Sequence, residues 1–210
     1  MGTLTGLASS QIATLSSSQL AGLSSSDIAG LTTSQIPGLT SSEIAALSVT
    51  QLGGLSSTQV GLLTTAQVAG LTSTGIGALT TGQVGGLTSK QVASLSSTQI
   101  KALTTSDLSS LTSTQLGGFT TTGLGALTTT QLAALTSVQI SSLSVTQVAG
   151  LTTTEIAALT TGQVSGLSSA QVASLTTAQV AGLAATAIGA LTTDQLRGLN
   201  SRQVASLTST

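Results

Sequence analysis

The chain has 210 residues, only 4% of them charged, and a net charge of −1. It contains no His, Cys, Trp or Tyr, which excludes an imidazole base, a thiolate nucleophile, a zinc or iron–sulfur centre and any disulfide. A mean hydropathy of +0.50 with so little charge points away from a self-repelling disordered chain and towards one that self-associates.

At the amino end, Met1-Gly2-Thr3-Leu4 lacks the charged start and apolar stretch of a cleaved signal peptide, and Gly6 stands where a myristoylation motif wants Ser or Thr. Aliphatic residues never run long enough to form a membrane span. From Leu7 onward every eighth residue is Leu as far as Leu207, with Phe119 as the one exception. Five positions after each comes a second aliphatic residue, from Ile12, Leu20 and Ile28 to Val204, and Leu4 belongs to the same series. With no linker and no shift in composition, residues 1–210 read as a single uninterrupted octapeptide array without distinct caps.

A continuous α-helix does not explain an eight-residue period, because eight residues turn through about 800° and successive Leu spiral around the axis. A continuous strand would put Leu and its partner on opposite faces, and Gly53-Gly54, Gly85-Gly86 and Gly117-Gly118 interrupt it. The chain must therefore turn within each octapeptide. Taken in order, Ser16 and Gln19, Ser24 and Asp27, and Thr32 and Gln35 have the spacing of a capping box, in which each side chain satisfies a free backbone group at a helix start. The flanking pairs, such as Leu31 with Ile36, have the spacing of the hydrophobic staple that accompanies such a box. Pro37 follows and limits its helix to about one turn. Glu43, Asp107 and Glu155 are further acidic box partners that suit a helix start electrically. In the Leu183 octapeptide both halves are lost together, as Ala184 and Ala187, whereas Asn200 is itself a good cap.

Each octapeptide thus reads as one capped helical turn, closed by small residues such as Ala13, Gly22, Gly30 or Gly38, where Gly would permit a left-handed exit. The predicted fold is an all-α repeat solenoid of very short capped helical turns, one per octapeptide. A β-solenoid with Thr ladders outside is the alternative, since Ile and Val fill most of the second aliphatic positions. One octapeptide buries too little to offset the entropy of ordering it, so stability must come from stacked neighbours.

No residue is assigned a catalytic, cofactor-binding or metal role, and no cofactor is expected. Asp27, Glu43, Asp107, Glu155 and Asp194 are too dispersed to pair as acid and base or to gather around calcium. Lys90, Lys101, Arg197 and Arg202 make no basic groove, and without aromatic platforms nucleic acid is not a partner. Asp194, Arg197 and Arg202 lie close enough in sequence for surface ion pairs, and Phe119 reads as a packing variant of Leu. The abundant Ser and Thr have no group to activate them, so no small-molecule substrate is expected and the chain is not an enzyme. Gln11, Gln19, Gln35 and their equivalents have two candidate roles, the capping box, which accounts for their spacing, and hydrogen-bonded ladders between coils.

The octapeptide Leu63-Thr64-Thr65-Ala66-Gln67-Val68-Ala69-Gly70 resembles the low-complexity arrays of large secreted or surface-anchored bacterial proteins, and the resemblance covers essentially the whole chain. It implies an extracellular fibre, stalk or adhesin spacer at the cell surface. The pattern also starts and stops within an octapeptide at Met1 and Thr210, which suits copies stacking head to tail and packing laterally as a homopolymer. Two further roles remain open at this stage: ice binding by Thr pairs such as Thr32-Thr33, Thr64-Thr65, Thr80-Thr81 and Thr128-Thr129, and a passive spacer.

Overall fold

A computed structural model describes residues 4–207; the ends at Met1 and Thr210 lie outside the described residues. Among these residues there are 24 α-helices and two 3₁₀ turns, and no strand. The protein is an all-α repeat solenoid. Its residues group into two compact units, Met1–Leu111 and Thr112–Thr210.

One octapeptide shows why the chain winds as it does. Thr40 is extended, with φ −75° and ψ 159°, and its hydroxyl accepts a hydrogen bond from the Glu43 N–H at 3.1 Å. The Ile44 N–H reaches the Thr40 carbonyl at 3.0 Å, which completes the first helical turn of Ser41–Ala46. The Leu47 N–H then bonds the Ile44 carbonyl at 3.3 Å, and Leu47 is extended again, so the helix ends where the next cap begins. Pro37 has the predicted effect, since its octapeptide holds only the 3₁₀ turn Ile36–Gly38. Ala185–Gly189 forms without a side-chain cap at Ala184, so stacked neighbours carry a turn that has lost its box.

In the first unit, Ser41–Ala46 packs on Thr65–Gly70 and Ser73–Gly77 on Ser97–Ala102. In the second, Ser137–Ser141 packs on Thr161–Gly166 and Ser169–Ala173 on Thr193–Gly198. Both aliphatic rows face inward. Ile44, Ile76, Leu124 and Ile156 have no exposed surface, and Leu47, Leu79, Leu127 and Leu159 are buried beside them. Phe119 lies in the Leu row and is buried like it.

The glycines work differently from the expectation. No described residue has a positive φ, so no turn leaves its helix through the left-handed region. The helix of Gly30 ends with φ −77° and ψ −7°, still right-handed, and the following extended Leu turns the chain. Glycine is needed instead for close approach between coils. A Cβ on Gly38 would lie 2.7 Å from the Ser9 carbonyl oxygen, and one on Gly70 would lie 2.9 Å from that of Ser41. Gly54 and Gly86 meet the backbones of Ser25 and Ser57 in the same way, giving a contact at every second octapeptide. Gly86→Ala is therefore expected to destabilise the protein by roughly 1–3 kcal/mol, because backbone must move. Gly162 has open space around it, and Gly162→Ala is expected to raise stability by about 0.5–1 kcal/mol through helix propensity. Thermal unfolding of the two variants in parallel checks both signs.

Candidate functional site: a glutamine clasp between coils

Most octapeptides place Gln at the third residue of the helix, where the capping geometry holds it inward. Gln67 is typical and is 2% exposed. Its Oε1 accepts a hydrogen bond from the Thr64 N–H at 2.6 Å, and its own N–H donates to the Thr64 hydroxyl at 3.2 Å, which together make the capping box. The other end of the amide leaves the octapeptide. Nε2 donates to the carbonyls of Ile36 at 2.9 Å and Leu39 at 2.5 Å, residues 31 and 28 positions earlier. The two candidate roles of Gln are thus both filled, one by each end of a single side chain.

The same clasp recurs through both units. Gln51 reaches Leu20 and Leu23, Gln83 reaches Leu52 and Leu55, and Gln91 reaches Val60 and Leu63. In the second unit Gln147 holds Leu116 and Phe119, and Gln163 holds Leu132 and Leu135. An offset of 28 residues is three and a half octapeptides, so each amide sits over the junction between two turns of the preceding coil. There it bonds the carbonyl of the extended Leu, such as Leu39, and shares the carbonyl of the aliphatic residue before it, such as Ile36, with the backbone N–H that closes that turn.

The acids take up the same box with different outcomes. Asp27 accepts from both the hydroxyl and the N–H of Ser24, at 2.6 and 2.9 Å, and these bonds hold its carboxyl below the usual range. Asp107 accepts from the Thr104 N–H and hydroxyl, and its second oxygen accepts from the Thr81 hydroxyl at 3.1 Å. Glu43 and Glu155 each accept from their cap N–H at 2.6 Å through Oε2, while Oε1 is buried and unpartnered. Asp194 and Arg197 form an exposed ion pair at 3.5 Å, the kind that contributes about 0–1 kcal/mol. Arg202 lies apart from that pair, its N–H donating to the Asn200 side chain. Among the described residues no three acids come together as a metal-binding group, and no helix is long and apolar enough to cross a membrane.

The hydroxyls of Thr64, Thr80 and Thr128 accept backbone N–H groups at helix starts. They are caps on separate turns, and the flat β ladder that an ice-binding face requires does not form. No curated protein matches the chain. The ALTTAQ repeat family matches it at residues 4–41, 39–73, 73–105, 100–137 and 153–185. Leu175-Thr176-Thr177-Ala178-Gln179 spells the last five letters of that name, with the cap and the clasping Gln at its second and fifth residues. Since these matches span most of the sequence, the chain belongs to the ALTTAQ repeat family.

Proposed function

We propose that this is a structural protein that assembles with copies of itself into an extracellular or cell-surface filament. The observation that carries the reading is the repeat itself: each coil buries its two aliphatic rows by packing on coils of the same octapeptide, so the surface that complements a coil of this chain is another such coil. The coils also carry little charge to oppose contact, and their outer faces are mainly Ser and Thr. The extracellular placement rests on the likeness of the octapeptide to secreted bacterial arrays.

Electron cryomicroscopy of the purified chain over a concentration series tests the proposal. Filaments that appear with rising concentration while helical circular dichroism persists are the expected result. A chain that stays monomeric at every concentration would overturn self-assembly and leave the role of a passive spacer.

A further inference from the structure

Glu43 and Glu155 are the only two glutamates of the chain, and both stand where most octapeptides carry the clasping Gln. Each keeps the cap half of that role, since Oε2 accepts the N–H of Thr40 or Thr152 at 2.6 Å. Oε1 therefore takes the place of the Gln Nε2. The octapeptides on either side fix where it points. Gln35 reaches Leu4 and Leu7, and Gln51 reaches Leu20 and Leu23, so the same register carries Glu43 Oε1 to the carbonyls of Ile12 and Leu15. Gln147 and Gln163 flank Glu155 in the same way and set its Oε1 against the carbonyls of Leu124 and Leu127. Glu43 is 8% exposed and Glu155 4%, and neither Oε1 has a hydrogen-bond partner.

Three acceptors thus meet at each junction with no donor between them. The Ile12 and Leu124 carbonyls already hold the backbone N–H groups of Leu15 and Leu127, at 3.1 and 3.0 Å, so the Leu15 and Leu127 carbonyls are the ones placed to take a new bond. No charged side chain lies on the surrounding helices. Ser41–Ala46 packs on Ser17–Ala21 and Thr65–Gly70, and Thr153–Ala157 packs on Thr129–Ala133 and Thr177–Ala181. These six helices, together with Ser9–Ile12 and Thr121–Leu124, which supply the facing carbonyls, carry no charge besides the two glutamates themselves. A proton on Oε1 supplies the missing donor: the neutral acid accepts at Oε2 and donates at Oε1, as the amide does through its Oε1 and Nε2. The ionised form instead leaves a buried charge against carbonyl lone pairs.

We infer that Glu43 and Glu155 are proton-operated clasps, each of which closes its coil junction when the carboxyl gains a proton from solvent and releases it when the proton leaves. The sense is opposite to that of Asp27, where the two bonds from Ser24 hold the ionised carboxylate and the cap weakens as pH falls. Acid thus tightens two defined junctions, one in each unit, while the amide clasps around them do not respond to pH. The device belongs to the single chain and does not rest on filament formation.

Hydrogen–deuterium exchange on the full chain, at a concentration where it is monomeric, tests this. Wild type is compared with the Glu43→Gln, Glu155→Gln double variant at each pH, so that the chemical exchange rate is nearly common to both. Near neutral pH, amides in residues 40–47 and 152–159 are expected to exchange roughly tenfold faster in wild type, and the ratio should fall towards one as the pH is lowered to about 4. Gln163→Glu builds the same clasp where none exists and should give residues 160–167 the same pH-dependent ratio against wild type. A ratio that does not change with pH, or that widens in acid, in either comparison would overturn the proton-operated clasp.

Discussion

Replacing Gln67 with Leu is expected to lower the stability of the protein by about 3–5 kcal/mol, far more than the loss of one surface amide. The substitution keeps the volume and the burial but leaves the Thr64 N–H and the Leu39 carbonyl without their partner, and takes from the Ile36 carbonyl one of its two bonds. Each buried group stranded in this way costs roughly 1–3 kcal/mol, because water cannot reach it to compensate. Gln67→Glu should fall between wild type and Gln67→Leu, since Oε2 can still accept from the cap while both bonds to the preceding coil are lost. Gln11 is the control: it is exposed and accepts only from the Ala8 N–H at 2.8 Å, so Gln11→Leu should cost no more than about 1 kcal/mol. Urea unfolding followed by circular dichroism measures all three. Equal midpoints for Gln67→Leu and Gln11→Leu would show that the clasp carries no weight.

Ile76→Ala is the second large effect expected, at about 2–5 kcal/mol. Ile76 has no exposed surface and is walled by the aliphatic rows of its own and adjoining coils, so the removed atoms leave a space that short, capped turns cannot collapse to fill. Leu196 sits at the equivalent place in its octapeptide but is 45% exposed, and Leu196→Ala should cost the monomer about 1 kcal/mol or less. The comparison separates burial from repeat position. If both substitutions shift the unfolding midpoint alike, the aliphatic row does not form the core in the way described.

Much of this architecture was legible in the residues. The pairing of Thr40 with Glu43 and of Leu31 with Ile36 defines a capped turn locally, because every group involved lies within five positions of its partner. The β alternative drew on the Ile and Val content, but a second aliphatic residue in each octapeptide needs only to be buried, and β preference expresses burial as much as backbone shape. What lay beyond the sequence was the pitch. The 28- and 31-residue offsets of the clasp depend on how the Leu and Ile rows pack against each other, and an eight-residue period fits several coil sizes. For the same reason the outward reach of Gln67 could be named but not aimed. Gly38 was misread as a left-handed exit, since glycine at a helix end usually serves that purpose, whereas its neighbour here is Ser9 of another coil.

The spacing of the coil contacts also bears on how such a chain can change over generations. The clasp recurs with the same offsets wherever an octapeptide carries Gln, and between Gly38 and Gly86 the close approaches of Gly38, Gly54, Gly70 and Gly86 come at every second octapeptide. Gain or loss of sixteen residues returns both rows to their partners, while a change that is not a multiple of eight displaces the core, the caps and the clasp at once. Unequal recombination between such similar segments therefore produces chains that differ in length yet still fold. The reach of the molecule is then a quantity that inheritance can adjust in fixed increments, without devising a new contact.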